Sequence, residues 1–241
     1  MNDTDRVRRE FLVRLLGAGF FSLSPALGIR SVNAMSRLPD ELPPGRSIYR
    51  LEGKVFINRL PADEQTSISP GDVIETGAKS QVIFIVNRDA FILRENSRLE
   101  LEPDGEGLLL ESLRLLTGKL LSVMEKRGEK QKLNFFTTTA TIGIRGTGIY
   151  LESEPEKTYV CTCYGKTELR ASADPAQTEL LETRYHDAPR YIYMTPKGGR
   201  LISEAPVINH TDAELGLVEA LVGRTVPFDP TSTGGNYGRR Y

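Results

Sequence analysis

Tryptophan does not occur in the 241 residues, and cysteine, histidine and methionine are sparse, at two, two and four copies. Two cysteines cannot build a disulfide framework, so the fold must rest on a hydrophobic core, which a chain of this size can form. With only His186 and His210, general-base chemistry has few candidates. Neither a Gly-x-Ser-x-Gly elbow nor a His-Glu-x-x-His pair occurs, and the acidic residues are plentiful but scattered. The composition therefore points to no enzyme class. Net charge is missing too: 31 Lys and Arg against 32 Asp and Glu leave −1, whereas phosphate-backbone recognition relies on a basic excess. No nucleic-acid partner is expected. The 22 glycines follow no fixed period, and 39% hydrophobic with 26% charged residues is a globular balance.

Long hydrophobic runs are lacking as well. The most apolar stretch, Leu15 to Ile29, is short for a membrane span and is interrupted by Gly17, Gly19, Ser22, Ser24 and Pro25. It follows a charged start with Arg6, Arg8, Arg9 and Arg14 and precedes Val32-Asn33-Ala34, whose small last residue suits signal peptidase. Residues 1–34 read as an export signal. Within them Arg8-Arg9-Glu10-Phe11-Leu12 resembles the twin-arginine translocation motif, with Val7 standing where Ser or Thr is preferred. An ordinary secretory signal and an uncleaved anchor are the alternatives, the latter making the chain a membrane-anchored signalling regulator. Cleavage after Ala34 removes five basic and three acidic groups and leaves 26 against 29, a mildly acidic periplasmic protein with no stable membrane span.

A Pro-rich flexible leader is expected over 35–46. From Ile48 on, short runs of Val, Ile, Leu and Phe are broken by turn residues every 8 to 12 positions or so, the pattern of an all-β domain. Gln81 to Val86 is nearly all apolar, as in a strand buried on both faces, and Ser97 to Glu102 alternates strictly, as in a strand with one wet face. Leu113 to Val123 has helical propensity, but Gly118 in its middle predicts two strands joined at a turn or corner. Thr211-Asp212-Ala213-Glu214 opens a short helix with Thr211 or Asp212 as N-cap, ending near Gly223. The expected class is mainly β, a roll or solenoid-like body of many short strands with a short C-terminal helix. It would divide into a β domain over 47–170, an extension over 171–225 packing on it, and a disordered tail over 226–241.

The most specific segment is Phe135 to Tyr150, which contains Thr139-Ala140-Thr141-Ile142-Gly143-Ile144-Arg145-Gly146-Thr147-Gly148. It resembles the signature of the FecR-like family of periplasmic signal transducers. Upstream, Gly53-Lys54-Val55, Pro70-Gly71-Asp72-Val73-Ile74-Glu75-Thr76-Gly77 and Leu116-Thr117-Gly118-Lys119-Leu120 match further motifs of that family in order. The resemblance spans about Ser47 to Leu169. It implies a non-catalytic sensory or scaffold domain that binds an envelope protein or a small ligand. Family members with a signalling arm carry a cytoplasmic anti-sigma segment and a transmembrane helix ahead of this domain. Here Met1 to Val7 precede the paired arginines, so direct sigma-factor control is not expected. Gly143, Gly146 and Thr147 would form a fold-closing corner, with the five donors of Arg145 tying down neighbouring carbonyls. A strand-like Ile149-Tyr150-Leu151 follows the glycines where a phosphate-binding loop would need a helix N-terminus.

Beyond the signature lie Cys161 and Cys163. In a strand, residues two apart share a face, with Cα atoms about 6.5 to 7 Å apart, at the limit of disulfide range. Three readings stand: buried thiols packed as small apolar groups, a strained disulfide, or a soft metal or cofactor site of Cys161, Cys163 and His186 for Zn, Cu or Fe. Tyr185 or Asp187 would then be a further ligand or a supporting partner. Export gives the first test: Arg8→Lys with Arg9→Lys should trap the precursor in the cytoplasm, and wild-type exported protein should begin at Met35 by intact mass. Normal export of the double variant would assign the signal to general secretion.

Overall fold

The computed structural model describes residues 38–127 and 133–228. The expected export signal, the first residues of the leader and the tail beyond Phe228 lie outside them. The chain divides after Pro39, and every element below belongs to the unit that starts at Asp40. Its strands are β1 Ile48–Glu52, β2 Val55–Ile57, β3 Leu60–Pro61, β4 Val73–Thr76, β5 Gln81–Val86, β6 Asp89–Leu93 and β7 Arg98–Pro103. They continue with β8 Leu110–Val123, β9 Leu133–Phe136, β10 Ala140–Ser153, β11 Lys157–Ala171, β12 Thr178–Thr183, β13 Arg190–Lys197 and β14 Arg200–Glu204; helix α1, Asp212–Leu221, closes the series. The class is mainly β with one short C-terminal helix, as the turn spacing and the Thr211 capping box lead one to expect.

All fourteen strands share one sheet, which is not closed into a barrel; its longest path runs β14-β13-β11-β10-β9-β8-β7-β4-β2-β3. Neighbours are antiparallel except β8 and β9. Three long strands organise it by exchanging partners along their length. The first half of β8 lies beside β7 and β9, and the second half beside β6 and β10. Gly118 sits at the exchange with φ +96°, and a Cβ there would lie 2.5 Å from the Ser97 Cα. The expected break at Gly118 is thus a correction: the chain continues as one strand, because glycine's positive φ absorbs the change of direction within the ladder.

A second correction concerns the signature. Residues 140–153 form one strand with a register shift between Arg145 and Gly148, where β10 leaves β9 and takes β8 as neighbour. The segment is a bulge inside a strand, not a closing corner. Thr147 is buried there and its hydroxyl donates to the Lys166 carbonyl, and Gly148 lies under the Tyr164 ring, where a Cβ would approach Cε1 to 2.3 Å. Arg145, opposite Lys166, is exposed and has no hydrogen bond or ion pair among the described residues. It ties down no carbonyls, because the bulge turns it to solvent.

The core gathers one face of the central strands, including Phe84, Leu93, Leu120, Ile149, Leu151 and Val160. The opposite face is also buried: β6 is covered along its whole length, and β10 from Thr147 to Ser153. Helix α1 packs there against β6 and β8 through Leu215, Val218 and Leu221. Thr211 is the N-cap, with a full capping box to Glu214. The same Glu214 carboxylate accepts from Arg94 at 2.8 Å, both groups being buried, and Arg94 also donates to the Asn209 carbonyl at 3.0 Å. At the helix's other end the Tyr164 hydroxyl donates to Glu219, which also holds Arg224 at 2.6 Å.

Removing one partner of a buried pair strands the other charge. Arg94→Met should therefore cost about 3–5 kcal/mol in urea unfolding, with much of it recovered when Glu214→Leu is added. In the same assay Arg145→Ala should stay within about 0.5 kcal/mol of wild type, as for an exposed site; a large loss would restore the corner role.

Candidate metal centre

The alternation of β11 sends Val160 into the core and Tyr159, Cys161 and Cys163 to the helix-covered face. Both cysteines are fully buried and free, with no bridge between them. His186 lies in the connection between β12 and β13 with φ +49°, and its N–H donates to the Cys163 carbonyl at 2.9 Å, pinning the connection onto β11. His210 immediately precedes the N-cap of α1; its ring stacks on Tyr150 with centroids 4.7 Å apart. The Sγ atoms of Cys161 and Cys163 and the imidazole nitrogens of His186 and His210 all lie within 4.8 Å of one another, and all four residues are buried.

The hydrogen bonds around the cluster decide which way the rings offer their lone pairs. His210 Nδ1 lies 2.7 Å from the Ile208 carbonyl, which can only accept, so Nδ1 carries the hydrogen and Nε2 presents its lone pair. His186 Nε2 lies 3.1 Å from Asp212 Oδ1. Burial pushes the Asp212 carboxyl up, but hydrogen bonds from His186 and Tyr185 outweigh it and hold its pKa below the ordinary value. Asp212 is thus a carboxylate, His186 donates through Nε2, and Nδ1 faces inward. Nδ1 of His186 is 3.0 Å from His210 Nε2 and 3.4 Å from Cys161 Sγ. Two imidazole lone pairs that close repel unless a proton or a cation lies between them.

Without a cation the cluster holds a proton. Burial works against a charged His186, but Asp212 and Cys161 outweigh it and raise its pKa to about 9. Burial likewise pushes the Cys161 thiol up, yet the hydrogen bond from Cys163, the field of His210 and the hydrogen bond with His186 bring it well below the ordinary thiol range. Cys163, fully desolvated and beside a thiolate, is pushed well above it.

The same geometry suits a tetrahedral ion. Metal bonds of about 2.3 Å to sulfur and 2.0 Å to nitrogen require donor separations of roughly 3.3 to 3.8 Å. His186 Nδ1 and Cys161 Sγ at 3.4 Å already meet this, the two imidazole nitrogens at 3.0 Å need open by only about 0.3 Å, and the longest pairs, within 4.8 Å, need close by about 1 Å at most. Two sulfurs and two imidazoles form a soft set that suits Zn(II) or Cu(I) and disfavours Mg(II) or Ca(II). Four protein donors fill a tetrahedral shell, the closed arrangement of structural sites rather than the open one of catalytic sites.

Of the residues singled out from the sequence, Cys161, Cys163 and His186 come together. Tyr185 stands beside them, its hydroxyl donating to Asp212 Oδ2 at 2.6 Å. Asp187 does not join them: it is exposed and accepts the backbone N–H groups of Arg184 and Tyr185, capping its own turn. Sequence reasoning missed His210 and Asp212. The available signal was the scarcity of histidine, since the second of only two lies one residue before the capping box. Phe228 lies over the assembly, 4.8 Å from the Tyr185 ring and 6.2 Å from that of His186. Gly143 and Arg145 lie elsewhere, on an open groove of about 610 Å³ with Lys166 and Leu180. Its Lys166 and Arg170 are paired with Glu182 and Glu168, so no set of free charges converges there.

No protein-family model and no curated protein matches the chain. Two crystal structures of a candidate anti-sigma factor from Parabacteroides distasonis are similar, each at 13% identity, with TM-scores of 0.45 and 0.44. The match covers 55% of this chain, which spans 58% of the length of those structures. At that level the likeness carries no argument about function.

The free, buried thiols give a direct check. Under non-reducing conditions both should resist iodoacetamide in the folded protein, and both should be alkylated once it is unfolded, by intact mass. A chain that takes up no label after unfolding would contain the disulfide instead.

Proposed function

We propose that this chain is an exported, non-catalytic sensory or scaffold domain of the FecR-like type, built around a closed transition-metal site of Cys161, Cys163, His186 and His210. One observation carries the metal reading: the two imidazoles are held by outer hydrogen bonds so that their remaining lone pairs converge with two sulfurs on one buried point. The Asp212–His186 bond is the carboxylate–histidine pairing that orients ring ligands and raises their basicity. The sensory or scaffold reading is supported by the ordered motifs between Ser47 and Leu169, and its partner class is an envelope protein or small ligand. A bound ion would supply charge neutralisation and a cross-link between segments. The residues of this chain would orient it, exclude water, and give up the protons now held by His186 and Cys163.

Cobalt titration of metal-free protein, with elemental analysis of protein taken from its native export route, tests this. One ion per chain is expected, with a thiolate-to-cobalt charge-transfer band, tetrahedral d–d bands and release of protons on binding. Cys161→Ser with Cys163→Ser should abolish the charge-transfer band. Wild-type protein that gives no such band and retains no zinc would leave only the buried-thiol reading.

A further inference from the structure

The four donors come from three separate pieces of chain. Two stand on β11, one in the β12–β13 connection, and the fourth, His210, belongs to the segment that leaves β14 and leads into α1. Asp212, which orients His186, is the first residue of α1. The cluster is therefore completed only when the C-terminal segment lies on the sheet. That segment, 206–228, covers Ile92, Leu121, Val123 and Tyr150, buried residues outside the main core. Its other anchors are the apolar face of α1 and a set of polar contacts: the Tyr159 hydroxyl with the Pro206 carbonyl and Ile208 N–H, Arg94 with Glu214 and the Asn209 carbonyl, Asn209 with Glu152, Tyr164 with Glu219, Arg224 with the Arg88 and Val123 carbonyls, and the Leu42 N–H with the Leu221 carbonyl. Seven residues without regular structure, 205–211, separate β14 from the helix. They leave it free to lift without unzipping a strand.

We infer that the metal site is a clasp: ion binding and docking of segment 206–228 onto the β6–β8–β10–β11 face are one coupled event. This inference rests on the metal reading above. An undocked segment offers the ion only the donors of β11 and the β12–β13 connection, and it withdraws the carboxylate that orients one of them. The docked state therefore binds the ion more tightly, and by linkage the ion favours docking by the same factor. The metal content of the compartment then sets whether the apolar face beneath the helix is covered, which gives a sensory domain an output from a site with no open coordination position.

Hydrogen exchange of the full chain, read peptide by peptide by mass spectrometry with and without one equivalent of zinc, tests the clasp. Amides of 206–224 should exchange about tenfold or more slower with zinc, the range of site-to-site coupling, while β2, β4 and β7 on the far side of the sheet change little. His210→Gln removes one donor; zinc should still bind through the remaining three, but more weakly, and the added protection of 206–224 should be lost. Trypsin cleavage at Arg224 in wild-type protein gives a variant-free readout and should be slower with zinc. If wild-type protein binds zinc by elemental analysis yet 206–224 exchanges at the same rate in both states, the clasp is overturned and the metal site stands. Equal protection in His210→Gln with zinc bound also overturns the clasp alone. Failure of wild-type protein to bind zinc overturns both.

Discussion

The second half of β10 and the first half of β11 are buried on both faces, and much of the C-terminal half follows from that. A strand in this position cannot turn its polar side chains to water, so most of them find a partner inside the protein, Ser153 being an exception among the described residues. On the face away from the core, Tyr150 meets Glu152, Tyr159 meets the Pro206 carbonyl and Ile208 N–H, and Tyr164 meets Glu219. The partners beyond the strands themselves come from the last quarter of the chain. The terminal segment thus acts as the second wall of the sheet, and its sequence is chosen for polar complementarity as much as for apolar cover.

Charge is handled the same way. Arg94, just past β6, with Glu214, Arg224 with Glu219 within the terminal segment, and Cys161 of β11 with His186 each set opposite charges together in largely dry surroundings. Desolvation opposes every one of them, and the pairs persist because several hydrogen bonds share each charge. Such pairs add little net stability over apolar packing but are intolerant of misplacement, which makes the docked position of α1 specific. A soft cation at the cysteines and histidines would take the place of the third pair, with bonds stronger than the other two.

Much of the β architecture was legible. The alternation of Arg98 to Glu102 and the apolar run of Gln81 to Val86 state directly how many faces of β7 and β5 are covered, and Thr211 with Glu214 announces the helix start. The glycines were legible as irregularities but not as to kind. Gly118 and Gly146 mark places where a strand changes neighbour, and a turn and a bulge carry the same local chemistry. What separates them is whether new neighbours, β6 and β10 beyond Gly118 and β8 beyond Gly146, wait to continue the ladder.

By itself, then, the sequence determined the mainly β class, the face-sharing of Cys161 and Cys163, and the capped terminal helix, because each follows from periodicity or from contacts within a few residues. The tertiary structure alone decided that Arg145 faces solvent, that Asp187 serves its own turn while Asp212 serves His186, and that His210 joins cysteines nearly fifty residues away. Those outcomes depend on which elements are laid against one another, and the free energy that selects such long-range pairings is spread over the whole buried sheet. A single histidine or aspartate in the chain carries no local mark of what will face it.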